Sequence, residues 1–292
     1  MRAALKTGLG AVAAALLAFL VIWAWATLTL LQNGKVYHKL ANVPRNPTAA
    51  HRVILRNQFD PNVEIPRIIH ITVPDKRPDF VTRKLRSIQA EHPLWDVRVY
   101  DNDDCMAFVE RHFEPGVREA YRKINPRYGA MRADFFRYCV LYVTGGFYMD
   151  VTLALPSRHL DTYDRMAEDA YLVPLPLRLK DRYRQRKLKH ITMYEQWGMM
   201  FKPRHPYLKT VIEHVVHDIL DSVVPPYDRD WLDIVHIGNG MCNPGKHAVL
   251  HITGPDAFSR HIHRYTQEHG AKHAVLDMER KVDHELKRAM YA

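Results

Sequence analysis

Asp134, Arg137 and Asp150 are residues whose types and spacing can do chemistry together. They fall in residues 125–155, which read NPRYGAMRADFFRYCVLYVTGGFYMDVTLAL. Asp134 and Arg137 stand at i and i+3, which a helix brings to one face. Asp150 follows 16 residues after Asp134, with one chain reversal between them. A helix–turn–strand unit can therefore set both carboxylates at one end of a sheet. Carboxylates offer the hard oxygen ligands that suit Mn²⁺ or Mg²⁺, and a guanidinium pairs with phosphate or carboxylate. The plainer reading of Asp134 and Arg137 alone is a helix-surface ion pair worth ~0.2–0.5 kcal/mol.

The elements that must hold these residues are legible around them. Met131, Phe135, Tyr138 and Tyr142 recur at helical spacing and predict a helix from about Gly129 to Val143. Gly145-Gly146 ends it, a routine role for glycine at a helix C-terminus, and Phe147 to Val151 starts the next strand. Upstream, Arg67 to Val73 is rich in β-branched residues and bounded by Pro66 and Pro74, a buried-strand signal. Val81, Leu85 and Ile88 predict a helix over Phe80–Glu91. Trp95, Val97 and Val99 alternate with Asp96, Arg98 and Tyr100 as a second strand. Asp101, Asp103 and Asp104 form an acidic cluster; helix capping by Asp103 or Asp104, ahead of a helix to His112, explains it without a metal. Strands alternating with helices indicate an α/β domain with a mainly parallel sheet. Ligands of such sheets bind beyond the carboxyl ends of the strands, where Asp150 falls.

The chain has 292 residues, 47% hydrophobic and 25% charged, the proportions of a folding domain rather than of a disordered chain. A mean hydropathy of −0.32 excludes a polytopic membrane protein. The net charge of +10 points to an anionic partner. More than half of that excess sits in Arg178–Lys189, with seven basic side chains and one acidic. The default reading of that run is a solvated face; its position also suits an acceptor-side or membrane-facing loop. No nucleic-acid motif accompanies it. Three cysteines, Cys105, Cys139 and Cys242, fit no metal motif by spacing.

With these blocks in view, the chain resembles glycosyltransferases of the GT-A fold. The similar group is the DXD-containing one (glycosyltransferase family 32-like) that includes yeast-type initiating α-mannosyltransferases and inositol-phosphoceramide mannosyltransferases. Its pattern, D-x-x-R-Y-x-x-L-x-x-x-G-G-x-Y-x-D-x-D, is matched by Asp134, Arg137, Tyr138, Leu141, Gly145, Gly146, Tyr148 and Asp150. Ile65 to His70 resembles the family's opening strand, and His92-Pro93 with Trp95 through Asp104 its second block. Phe201 to Pro206 and Thr253-Gly254-Pro255 resemble two later blocks. The similarity spans about residues 65–260.

The resemblance implies a hexosyltransferase using a nucleotide sugar, a UDP- or GDP-hexose, and acting on a hydroxyl of a glycan or lipid-linked acceptor with retention of configuration. It implies Asp134, Arg137 and Asp150 as catalytic residues. Asp134 and Arg137 would contact the donor sugar, with Asp150 against the ribose and the metal shell. His70, Gly146, Tyr148 and Thr152 would be donor-binding, and Glu195, Gln196 and Trp197 would line the acceptor side. One position departs from the pattern: the second acidic residue of the motif is Thr152. Three readings remain open. The motif binds Mn²⁺ or Mg²⁺ through Asp150 and Thr152 with help from elsewhere, His261 and His263 being candidates beside His251. Or basic side chains take the leaving-group charge without metal. Or the domain is a non-catalytic nucleotide-sugar or glycan binder, or a scaffold for a transferase partner.

Residues 8–31 are uncharged and dense in Ala, Leu, Val, Ile and Trp. A helix of that length rises ~36 Å, enough for a hydrocarbon core of ~30 Å. The alternative is a cleaved signal peptide with Ala24-Trp25-Ala26 as the cleavage site; the run is longer than a usual signal core. The expected organisation is a cytosolic tail 1–7, a transmembrane signal anchor 8–31, a stem 32–64 and a GT-A domain 65–292. That is a single-pass type II membrane protein, on the Golgi or ER lumenal side if eukaryotic, and it argues against nucleic acid as a partner.

Overall fold

The computed structural model describes residues 16–24, 55–56, 58–74, 78–124, 126, 128–153, 160, 168–175, 191–220, 249–271 and 273–276. The chain divides into two compact units, Met1–Pro44 with Val223–Ala248 and Arg45–Ser222 with Val249–Ala292. In the first, residues 16–24 form a helix (α1) with exposed side chains, among them Leu17 and Ile22. The rest of the expected anchor 8–31 lies outside the described residues, as do the tail 1–7, most of the stem 32–64 and the basic run 178–189. Among the described residues no helix is long and apolar enough to cross a membrane.

The second unit is a mixed α/β domain around a six-stranded sheet. Its strands are β1 (Ile68–Thr72), β2 (Asp96–Tyr100), β3 (Gly146–Asp150), β4 (Ala170–Pro174), β5 (Tyr194–Phe201) and β6 (Ala274–Val275), in the order β2-β1-β3-β5-β4-β6. β2, β1 and β3 are parallel. β5 runs antiparallel to both β3 and β4, and β6 is parallel to β4. Five strands thus share one direction and β5 opposes them. The helices are α2 (Pro78–Glu91), α3 (Asn102–His112), α4 (Pro115–Lys123), α5 (Gly129–Thr144), α6 (Pro206–Leu220) and α7 (Pro255–His269).

Alternation along the strands assigns the two faces. Ile69, Ile71, Phe147 and Met149 point to one side, where they form a core with Ile88, Trp95, Tyr171 and Trp197, and Leu85 of α2 packs against it. His70, Thr72, Tyr148 and Asp150 point to the other, towards α5. Helix α5 is buried on nearly every side, from Asp134 through Tyr142 without interruption. A helix apolar all round belongs in a core, so its two charged residues, Asp134 and Arg137, must find partners there.

Two local details differ from the sequence expectation. Asp101, rather than Asp103 or Asp104, caps α3: its side chain accepts from the N–H groups of Asp103 and Asp104, while Asp104 reaches back to the N–H of Asp101. The acidic cluster is therefore a reciprocal capping box. Residues 55–56 and 58–61, expected in the stem, lie along the domain. Leu55 N–H donates to Glu213, Tyr142 OH to the Arg56 carbonyl and Lys202 to the Pro61 carbonyl.

Candidate active site

The last turn of α5 and the first residues of β3 set the geometry. Gly145 has φ +66°, and a Cβ there would meet Pro203 N at 2.8 Å. Gly146 has φ +96°, and a Cβ would meet the Ile68 carbonyl oxygen at 2.6 Å. Only glycine tolerates both the left-handed backbone and this close approach. The reversal lays β3 alongside β1, pairing Tyr148 with His70 and Asp150 with Thr72. Asp150 thereby ends β3 at the carboxyl end of the parallel strands, and Arg137, two turns back from the end of α5, reaches over to it.

The Arg137 guanidinium ties three elements together. Its Nη2 lies 3.0 Å from Asp134 Oδ1 and 3.2 Å from Asp150 Oδ1. Its Nη1 donates to the Gln196 carbonyl of β5 at 2.9 Å. Its carbon sits over the Tyr148 ring, 4.7 Å from the centroid. The Tyr148 hydroxyl donates to Asp150 Oδ1 at 3.3 Å and lies 2.7 Å from Thr72 Oγ1. Asp134 and Arg137 are almost wholly buried, whereas the Asp150 side chain is 33% exposed. Burial pushes the Asp134 carboxyl up to about 7 from its ordinary 3.8; Arg137 pulls it down, Asp150 pushes it up further, and a hydrogen bond from Thr253 pulls it down. Burial also pushes the Tyr148 hydroxyl up, so it stays a neutral donor.

A cleft of about 560 Å³ opens on this group. Its lining includes Thr72 at the end of β1 and Pro74 beyond it, Asp150 at the end of β3 and Thr152 beyond it, and Arg132 and Arg137 of α5. Its floor thus lies beyond the carboxyl ends of β1 and β3, where open α/β sheets place ligands. The lining carries two guanidiniums, groups suited to an anionic ligand such as phosphate.

The remaining expected site residues are placed as follows. Asp134 stands behind Arg137, with its second oxygen accepting from Thr253 Oγ1 at 3.3 Å. His70 is fully buried; its Nε2 lies 3.0 Å from the Gly145 carbonyl and its Nδ1 3.1 Å from Tyr100 OH. With Nε2 donating to that carbonyl, Nδ1 accepts from the tyrosine. Burial pushes its pKa down to about 4, so the ring is neutral. His70 and Gly146 serve the β1–β3 contact near the amino end of β3, away from Asp150; the strand places Thr72 rather than His70 at the cleft. Gln196 does not present its amide to the cleft. Nε2 donates to Tyr138 OH and, at 3.0 Å, to the Thr253 carbonyl, and it is the Gln196 backbone that meets Arg137. Trp197 lies in the core on the opposite face of the sheet, beside Phe147 and Met200, because the β4–β5 pairing shifts register between Leu172 and Pro174. Glu195 is half-buried on β5. His261 packs on His214 with ring centroids 4.3 Å apart, and His263 is half-buried on α7. His251 is engaged by Arg260 at 3.2 Å. Among the described residues, no three His, Cys, Asp or Glu side chains gather as a metal site, so Asp150, His261 and His263 do not form one ligand set.

Sequence reasoning missed the contact between Thr253 and Asp134. The Thr-Gly-Pro block was visible, but nothing in local spacing says which residue it meets 119 positions away. It also missed Arg132, which lines the cleft while its Nε donates to the Ile124 carbonyl at 3.3 Å; at five residues from Arg137 it is about 140° round the helix, so spacing does not pair them.

The region that holds these residues is similar in sequence to known glycosyltransferases. Residues 78–165 match the family described as "Glycosyltransferase sugar-binding region containing DXD motif". The chain is 23% identical over 257 residues to the "Initiation-specific alpha-1,6-mannosyltransferase" of Schizosaccharomyces pombe, covering 78% of this chain and 57% of that protein. It is 23% identical over 194 residues to the "Putative glycosyltransferase HOC1" of Saccharomyces cerevisiae, covering 64% of this chain and 48% of that protein. The chain thus spans about half the length of these curated relatives. Among solved structures, a "PaToxG Glycosyltransferase" aligns with a TM-score of 0.43 and 12% identity over 83% of this chain and 78% of its own. The matched region holds Asp134, Arg137, Asp150 and Thr152, so the part of the chain that carries the candidate site is similar to the sugar-binding region of DXD-containing glycosyltransferases.

Proposed function

We propose that this chain is a membrane-anchored glycosyltransferase of GT-A fold. In this reading it moves a hexose from a UDP- or GDP-sugar to a hydroxyl of a glycan or lipid-linked acceptor, with retention of configuration. One observation carries the reading: a buried guanidinium bridges two carboxylates at the floor of a cleft that a second guanidinium also lines, beyond the carboxyl ends of two parallel strands. The name of the Schizosaccharomyces pombe relative, a mannosyltransferase, supports the choice of hexosyl transfer. The anchor rests on the uncharged run 8–31.

The chain's residues account for the chemistry as positioning plus charge stabilisation. The donor diphosphate lies in the cleft with Arg137 and Arg132 facing it. As the glycosidic bond breaks, the diphosphate gains negative charge, and Arg137, fixed on four sides, meets that charge without reorganising. Asp134 holds the guanidinium from behind. The departing phosphate takes the acceptor's proton on the same face, so no strong enzymic base is required.

The DXD family implies a divalent cation. Asp150 is partly exposed to the cleft, and Thr152 lines it too, a donor set of one carboxylate and one hydroxyl. Hard divalent cations are held in this way when substrate phosphates supply the remaining ligands. Asp150 and Thr152 would hold Mn²⁺ or Mg²⁺ here, where it would neutralise the leaving diphosphate. Donor hydrolysis by the full chain in detergent, across UDP- and GDP-hexoses with Mn²⁺ or with chelator, tests the reading. Turnover of one donor, lost in Asp150→Ala, is expected. No turnover of any donor, together with donor binding indifferent to Asp150→Ala, overturns it.

A further inference from the structure

Asp134 receives one donor on each carboxylate oxygen, Arg137 Nη2 on Oδ1 at 3.0 Å and Thr253 Oγ1 on Oδ2 at 3.3 Å. The Thr253 hydroxyl has a single proton and two acceptors within the same reach. One is Asp134 Oδ2 and the other is the Val249 carbonyl, both at 3.3 Å. The Val249 oxygen already accepts from the N–H groups of Thr253 at 3.1 Å and Gly254 at 2.8 Å, which fills its two lone pairs. Once ionised, above about pH 7, Asp134 also accepts a charge-assisted bond about twice as strong as a neutral one. The proton therefore goes to Asp134.

Thr253 is itself held rigidly. It is fully buried, and its carbonyl accepts from Tyr138 OH at 2.6 Å and from Gln196 Nε2 at 3.0 Å. Tyr138 is one residue beyond Arg137 on α5, and Gln196 is the residue whose own carbonyl holds Arg137. The same two elements that position the guanidinium thus position Thr253. The next residue must be glycine: a Cβ on Gly254 would meet Leu250 Cα at 2.5 Å and its carbonyl oxygen at 2.9 Å. Pro255 then opens α7 with its φ already helical. The Thr-Gly-Pro turn is built to aim one hydroxyl.

We propose that Thr253 is a positioning residue for Asp134: its hydroxyl fixes the rotation of the carboxylate, so that Arg137 is shared between Asp134 and Asp150 instead of passing to Asp150 alone. This deepens the transferase reading above and rests on it. Without the hydroxyl, Asp134 Oδ2 is a buried charged oxygen with no donor, a costly state. The carboxylate then turns to recover a partner, and Arg137 leaves the position from which it meets the diphosphate.

The test uses Thr253→Val, which removes the hydroxyl at constant shape, and Thr253→Ser, which keeps it. In the full chain, the valine variant lowers kcat for the donor on the order of tenfold to a hundredfold, the scale of a small misplacement of a catalytic group. Donor KM rises by a smaller factor than kcat falls, since Arg137 also faces the bound diphosphate, and the serine variant recovers most of both losses. A thermal-unfolding cycle of Thr253→Val, Asp134→Ala and the double variant is expected to be non-additive, because each change removes the same contact. Wild-type kcat in the valine variant, or additive unfolding effects, overturns the proposal. A wild-type chain that turns over no donor sinks the transferase reading, and the unfolding cycle then decides the role of Thr253 by itself.

Discussion

The guanidinium carbon of Arg137 lies over the ring of Tyr148, 4.7 Å from its centroid. That stacking, two carboxylates and the Gln196 carbonyl use the planar fork on every side. Lysine offers a compact charge without the planar fork and stacks less well on an aromatic ring. Arg137→Lys is therefore expected to lower turnover on the order of 10²-fold, the scale of a lost electrostatic stabiliser. Tyr148→Phe keeps the ring and loses only the hydroxyl, so its turnover is expected to fall far less than that of Tyr148→Leu. Equal losses in the two Tyr148 variants would show that the hydroxyl, and not the stacking, matters.

Two buried groups give opposite pH dependences. Asp134 is pushed up from 3.8 to about 7 by burial. Between those values the folded chain keeps a proton that the unfolded chain releases. Its contribution to stability is thus full below about pH 4 and lost as pH rises to about 7. His70 is pushed down from 6.5 to about 4, again by burial. Its contribution is present above 6.5 and lost as pH falls towards 4. The wild-type profile mixes the two, but the difference between Asp134→Asn and wild type isolates the carboxyl. Thermal unfolding from pH 4 to 7 is expected to show the variant gaining relative to wild type. A difference that stays flat would mean that Asp134 is ionised throughout.

Gly145 and Gly146 carry the reversal that brings Asp150 to Arg137. Alanine at either position meets backbone atoms under 3 Å away at a positive φ. Each substitution is expected to cost about 1–3 kcal/mol from the backbone strain alone, and more from the displaced strand. Denaturant unfolding of Gly146→Ala checks this. A variant as stable as wild type would mean that the β1–β3 approach relaxes freely.

How far the sequence discloses the site depends on the range of the interaction. The i, i+3 pair, the glycine turn and the strand ending in Asp150 are local patterns, and each appears where its spacing places it. The Thr253–Asp134 contact joins residues 119 apart and leaves no periodic trace. Trp197 was expected on the acceptor side, but a register shift in the β4–β5 pairing puts it in the core on the opposite face. One slipped residue reverses the face of a side chain, and sequence alternation alone does not reveal the slip. His70 shows a further limit: a histidine in a strand beside a site is satisfied here by the Gly145 carbonyl and Tyr100.

Thr152 stands where the family pattern has an acidic residue. Thr152→Asp adds a second carboxylate to the cleft beside Asp150. The Mn²⁺ concentration that gives half-maximal donor hydrolysis is expected to fall in this variant, since added carboxylate charge tightens hard-cation binding. An unchanged or higher requirement would indicate that Thr152 does not face the cation.

Calorimetric titration of UDP- and GDP-hexoses into the full chain, beside Asp150→Ala and Arg137→Lys, tests the central claim most directly. One nucleotide sugar is expected to bind wild type and to lose at least about tenfold in affinity in both variants, a cost of ~1.4 kcal/mol. Binding of equal strength in all three proteins, or no binding of any nucleotide sugar to wild type, would contradict the account.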